Sequence, residues 1–129
     1  MRPFLLVGNL KMNLLSREEV KQYLQVLSRE MQGRSFHRAE AVICPPALYL
    51  NEFSHLPEGF MKGAQNSFWE KSGAYTGEIS PQMLKSDGVE YVLVGHSERR
   101  LYAGETDEVI HEKTQAVLKS LMLPIVCIG

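Results

Sequence analysis

Three short polar clusters carry the residues able to do chemistry: Gly8-Asn9-Leu10-Lys11-Met12-Asn13, Gln65-Asn66 and Gly95-His96-Ser97-Glu98-Arg99-Arg100. Each follows directly on an apolar run. An isolated lysine is ordinarily a solvated surface residue. Lys11, coming straight after Gly8-Asn9 at the end of a run, instead presents a fixed positive charge to an anionic substrate. A lone histidine is more often structural than catalytic, but the neighbours of His96 change its meaning. If residues 97 to 102 form a short helix, His96 lies at the positive end of that helix. This disfavours the imidazolium and leaves a neutral N–H able to polarise a carbonyl and move protons between adjacent oxygens. Glu98 is placed to pair with Lys11 across the strand ends, although a surface ion pair alone contributes little. Arg99 and Glu105 read as a supporting salt bridge, Arg100 as a solvated helix residue, and Cys44-Pro45-Pro46 as a strand-to-helix turn without chemistry.

The elements that must position these clusters are short apolar runs separated by amphipathic segments. Residues 4–7, 41–44, 60–64, 91–94 and 125–128 read as strands, several of them continuously apolar, as expected when both faces of a parallel sheet are covered. Ser16-Arg17-Glu18-Glu19 matches a capping box, in which hydroxyl and carboxylate satisfy each other's free backbone N–H groups. Behind it Val20, Tyr23, Leu24, Leu27 and Met31 share a helical face, and Gly33 offers a stop. Ser80-Pro81 caps a second helix that Gly88 ends. Thr106 caps the last helix, with Asp107 and Glu108 at its positive end and Val109, Ile110, Ala116, Val117 and Leu121 as an apolar stripe. Pro45-Pro46 opens a short helical stretch through Phe53. Gln65 to Ile79 is one long irregular stretch, of the kind that is usually functional or an interaction element.

Strands alternating with helices imply an α/β chain with parallel pairing. Two architectures fit: a doubly wound open sheet, or part of a (β/α)₈ barrel. Periodicity does not separate them. A whole barrel needs about 250 residues, and this chain has 129, with its last apolar run at the end.

Composition narrows the function. Hydrophobic residues are 44% and charged residues 22%, the proportions of a chain that buries a core. The net charge of -1 gives no reason to expect nucleic acid or an anionic membrane as a partner. Cys44 and Cys127 each sit in an apolar run and read as buried free thiols of a reducing compartment. There is no Cys-x-x-Cys spacing, and His37, His55, His96 and His111 are scattered, so no metal is expected. The apolar start Met1-Arg2-Pro3-Phe4-Leu5-Leu6-Val7 is interrupted by Asn9 and Lys11 and followed by no cleavage-site pattern, which leads to the expectation of a cytoplasmic chain.

Taken together, the motifs Gly-Asn-x-Lys-Met-Asn, Cys-Pro-Pro, Gly-Ala-Gln-Asn, Gly-Ala-Tyr-Thr-Gly-Glu-Ile-Ser and Val-Gly-His-Ser-Glu-Arg-Arg resemble, in order and spacing, those of triosephosphate isomerases. Gly104-Glu105-Thr106-Asp107-Glu108 and Ile125-Val126-Cys127-Ile128-Gly129 match as well. The resemblance implies that residues 1–129 are the N-terminal half of a single (β/α)₈ TIM barrel domain, truncated after strand five. It implies interconversion of dihydroxyacetone phosphate and glyceraldehyde 3-phosphate through an enediolate, without a cofactor. By the same resemblance His96 is the neutral electrophile, a role for which this family is itself the standard illustration. Lys11 stabilises developing negative charge, Asn9 helps hold the substrate, and Ser97, Glu98, Arg99 and Glu105 support them. The stretch from Gly73 to Glu78 resembles the loop that reaches into the partner of a homodimer, with Thr76 near the partner's site and Gln65 and Tyr75 belonging to the same loop region.

Two positions depart from the pattern: Leu10 stands where Trp is usual and Ala103 where Phe is usual. Unfilled, such gaps cost about 1–3 kcal/mol. The glutamate base, the closing lid and the glycine-rich phosphate loops are not found in these residues, so the chain alone is expected to be inactive. Its first and fifth strands are expected to be open edges that self-associate or require the complementary half. A non-catalytic scaffold or split-enzyme half is the competing reading. A phosphoacceptor or nucleotide domain is disfavoured by the absence of an acidic pair at the first strand end and of a Gly-x-Gly-x-x-Gly turn.

Overall fold

The computed structural model describes residues 4–128; Met1-Arg2-Pro3 of the apolar start and Gly129 of the last motif lie outside them. Five parallel strands form a sheet in the order of the chain: β1 (Phe4–Asn9), β2 (Ala39–Cys44), β3 (Phe60–Ala64), β4 (Tyr91–Val94) and β5 (Leu123–Val126). Between them run α1 (Arg17–Met31), a 3₁₀ helix (Ala47–Ser54), α2 (Pro81–Ser86), α3 (Ser97–Tyr102) and α4 (Asp107–Lys119).

Strand order decides between the two architectures. A doubly wound sheet reverses its order at a switch point and carries helices on both faces. Here no reversal occurs. The strand residues Ile43, Ala64, Val92 and Val94 pack with Val20, Phe53, Leu84, Ile110 and Val117 of the helices. The other face holds Val42, Cys44 and Leu93 with Met61, Tyr91, Ile125 and Cys127, which are strand residues or lie just past a strand. The fold is therefore the first part of a (β/α)₈ barrel: helices outside, strand side chains facing the axis.

Local chemistry explains the elements. Ser16 Oγ accepts the Glu19 N–H at 3.2 Å as a capping box requires, but the Glu19 carboxylate accepts the N–H of Leu15 at 2.7 Å rather than that of Ser16. Ser80 and Thr106 accept from Met83 and Val109, and Gly88, at φ 79°, stops α2. The stripe of α4 is Ile110, Lys113 and Val117. Leu121 leaves it: the residue has a left-handed backbone and is 83% exposed, and Met122 takes the buried place. The last strand starts two residues before the apolar run suggested, because Leu123 N–H bonds to Glu90 O at 2.9 Å and opens the ladder there. Pro124, with no N–H to give, is tolerated because β5 pairs only with β4 among the described residues. β1 likewise pairs only with β2, and Phe4, Leu5, Leu6 and Val7 are all exposed. Both expected open edges are present.

Cys44 and Cys127 are free thiols, the first buried and the second half-buried. Burial, with Cys127 adding to it, pushes the Cys44 thiol up to about 12, so it stays protonated and inert. Cys44 also explains Gly63 on the neighbouring strand. A Cβ there would land against Cys44 Sγ and 2.6 Å from Val42 Cγ1. Gly63→Ala is expected to destabilise the chain by about 1–3 kcal/mol in urea unfolding, with part of the loss recovered by adding Cys44→Ala. Equal stability of Gly63→Ala and the parent would show that the inner face is not packed this tightly.

Candidate active site

Parallel strands in sequential order deliver every strand-to-helix connection to one edge of the sheet, and the three polar clusters meet there. Asn9, Lys11, Gln65, Asn66, His96, Glu98 and Arg99 line one cavity of about 470 Å³. Its outer wall includes Gly77 to Ile79, Tyr102 and Ala103.

Lys11 sits in strained backbone, at φ 55°. Such a conformation costs a non-glycine residue about 1–3 kcal/mol. Its N–H is accepted by Asn9 Oδ1 at 2.9 Å, and its carbonyl accepts from Gln65 Nε2 at 2.9 Å. Gln65 Nε2 also donates to Cys44 O at 2.9 Å. The loop after β3 therefore holds the turn after β1 against the end of β2. Gln65 works at the root of the irregular stretch, not at its tip. From this turn Lys11 Nζ reaches Glu98 Oε1 at 2.7 Å, bridging β1 and β4 as the sequence suggested.

Gly95, at φ 73°, makes the turn that ends β4. His96 then caps α3: its Nδ1 accepts the Glu98 N–H at 3.2 Å. Nδ1 also lies 3.5 Å from Glu98 Oε2, an arrangement that would be an ion pair only with a proton on Nδ1. The accepted N–H already occupies that lone pair, so the ring hydrogen belongs on Nε2. Lys11 holds the Glu98 carboxyl below the usual carboxylate range, chiefly through the hydrogen bond, with the Lys11 charge adding to it.

The supporting groups form a second layer. Arg99 Nε donates to Glu105 Oε1 at 2.6 Å, as expected. Ser97 is exposed on the first turn of α3. Arg100 is not the free helix cation that the sequence suggested. It donates to Gly95 O at 2.9 Å, to Asp107 Oδ1 at 2.7 Å and to Cys127 O at 3.5 Å, tying the ends of β4 and β5. Lys113, which the sequence does not single out, is buried beneath the site and donates to Glu105 Oε1 and to Asn66 Oδ1. Its signal was a lysine inside the spacing of an apolar helical stripe.

The irregular stretch closes on itself through Phe68 N–H and Ile79 O at 2.9 Å. Tyr75 packs against Phe68 with the rings tilted by 48° and their centres 4.6 Å apart, and is 44% exposed; Thr76 is exposed beside it. Leu10 packs against the cluster of Val20, Ile43, Tyr49 and Phe53, so no buried gap follows from its small size. Ala103 is exposed on the cavity wall, so no buried gap follows from its small size either. Among the described residues no group of three or more His, Cys, Asp or Glu side chains is placed to hold a metal ion, and no helix is long and apolar enough to cross a membrane.

A sequence profile described as triosephosphate isomerase matches residues 4–129. The chain belongs to the triosephosphate isomerase family. It is 44% identical over 131 aligned residues to the triosephosphate isomerase of Thermoanaerobacter pseudethanolicus, covering 100% of this chain and 51% of that protein. The same figures hold for the triosephosphate isomerase of Caldanaerobacter subterraneus subsp. tengcongensis. For the triosephosphate isomerase of Lactobacillus delbrueckii subsp. bulgaricus, identity is 42% over 127 residues, covering 97% of this chain and 49% of that protein. The chain thus spans about half the length of the curated relatives it matches.

Removing the ammonium with Lys11→Met is expected to return the Glu98 carboxyl upward toward its ordinary range in a ¹³C NMR titration. The sign follows from the shift: a depressed carboxyl favours the bonded state above its unfolded pKa, and the bond is lost as pH falls through the lower folded value. A Glu98 titration unchanged by Lys11→Met would show that the two do not interact in solution.

Proposed function

We propose that this chain supplies the electrophilic side of a triosephosphate isomerase site, for the cofactor-free interconversion of dihydroxyacetone phosphate and glyceraldehyde 3-phosphate. The observation that carries the reading is the 2.7 Å bond between Lys11 and Glu98, which brings the end of β1 to the end of β4 in the cavity that His96 lines. A substrate carbonyl facing His96 receives a hydrogen bond from Nε2–H. As the enediolate forms, its negative charge is stabilised by the Lys11 ammonium, already fixed in place and relieved of reorganisation at the moment of reaction. Asn9, Lys11 and His96 contact the substrate. Glu98 orients Lys11; Ser97, Arg99 and Glu105 support α3. The strain at Lys11 fits a residue held for its charge rather than for packing.

The base that moves the proton between carbons is not among these residues in this reading. It belongs to the length of the relatives that the chain does not span. The 129-residue unit, one domain in this account, acts in the cytoplasm as half of a site. The loop carrying Tyr75 and Thr76 meets the second subunit of a homodimer.

Isomerase turnover is expected to be absent with the purified chain alone. It is expected to appear when the chain is mixed with the complementary half of the Thermoanaerobacter pseudethanolicus relative, and to fall about 10²–10⁴-fold with His96→Gln. Turnover in the mixture that survives His96→Gln would refute the role given to that residue. The exposed strands β1 and β5 favour a second reading, that the isolated chain associates through its edges. Light scattering of the 129-residue chain is then expected to give a mass above that of the monomer, and a compact, cooperatively melting monomer would remove this reading.

A further inference from the structure

Lys113 projects from α4 with 3% of its surface exposed. Lysines are almost never this deeply buried unless paired. Its partner Glu105 is buried too, and accepts from Arg99 and Lys113 on the same oxygen, Oε1, while its other oxygen, Oε2, has no partner. Burial alone would raise the Glu105 carboxyl, but its bonds to Lys113 and Arg99 outweigh that and hold it below the usual range. An apolar pair of the same volume would be about as stabilising as such an ion pair. Stability therefore does not explain why a lysine stands at this position in the stripe between Ile110 and Val117.

What does distinguish Lys113 is where its two bonds lead. One runs through Glu105 to Arg99, and so to α3, which carries His96 and Glu98. The other runs at 2.8 Å to Asn66, the neighbour of Gln65, whose amide holds the Lys11 carbonyl. The two arms meet again on the far side of the cavity, where Lys11 Nζ bonds to Glu98. We infer that Lys113 is a positioning residue that fixes the Lys11 turn and the His96 helix against each other from beneath, so that ammonium and imidazole face the same substrate. The inference rests on the reading of Lys11 and His96 given above. It adds a residue that touches neither the substrate nor either of those two groups.

The test reads the Glu98 carboxyl, which faces Lys11 and His96, by ¹³C titration without ligand. Lys113→Met/Glu105→Gln removes both buried charges and keeps an oxygen to accept from Arg99, whose side chain is 36% exposed, so no buried charge is left unpaired. Asn66→Ala cuts the other arm and leaves the Lys113–Glu105 pair untouched. Both variants are expected to melt as cooperatively as the parent, while Glu98 moves upward toward its ordinary range as its bond to Lys11 loosens. A merely structural Lys113 would move the melting temperature and leave the Glu98 titration where it was. That result in either variant overturns the inference, as does a parent chain in which Glu98 already titrates in the ordinary range. Phosphoglycolate binding by the unchanged chain, and its weakening by Lys11→Met, tests the enzymatic reading separately. Loss of that reading would leave the Glu98 result standing as a statement about geometry.

Discussion

Each crossover in this chain has to bring the backbone back to the same end of the sheet, and the rest of the molecule follows from that. Parallel pairing in chain order puts α1, the 3₁₀ helix, α2 and α4 on one face and all strand-to-helix turns on one edge. Residues far apart in sequence, such as Lys11 and Glu98, become hydrogen-bonded neighbours without any long-range loop. Strand side chains facing the helices are buried and mostly apolar, Lys62 with its bonds to Leu50 O, Ser54 and Asp87 being the exception, whereas those at the turn edge are released from packing and are free to be polar. The site is what that edge can hold.

The edge is organised by backbone as much as by side chains. Lys11 adopts a left-handed conformation that only a network of bonds sustains: Asn9 on its N–H, Gln65 on its carbonyl, Glu98 on its ammonium. Three turns hold one residue, and each of those turns depends on a different strand. A charge held from several sides in this way has its position set before any ligand arrives.

Much of this was legible in the residues. Caps announced their helices because Ser, Thr and Pro act locally, and Ser80-Pro81 and Thr106 begin α2 and α4 as read. The Lys11–Glu98 and Arg99–Glu105 pairs were also anticipated, the first because a parallel architecture brings its two turns together, the second because its charges are six residues apart. Architecture itself was not legible from periodicity. Open and closed α/β sheets bury the same strand pattern and differ only in the order of pairing. Lys113 and Arg100 were missed for a related reason. Asn66 and Cys127, which they bond, arrive from distant turns, and the one local mark, a lysine within the apolar spacing of α4, does not name its partners. Leu121 failed as a stripe residue because the helix had already ended at Lys119.

The order of the strands also bears on how the chain acquires its shape. Each strand pairs with the one that precedes it, so no pairing spans more than a single helical crossover. Loop closure for every pairing is correspondingly modest. Chains lengthen from the N-terminus during synthesis, and here every newly emerged strand finds its partner already made. Nothing in the first four strands waits for the fifth. The sheet can grow one strand at a time in the direction of translation, with a single exposed leading edge that moves along as each strand docks.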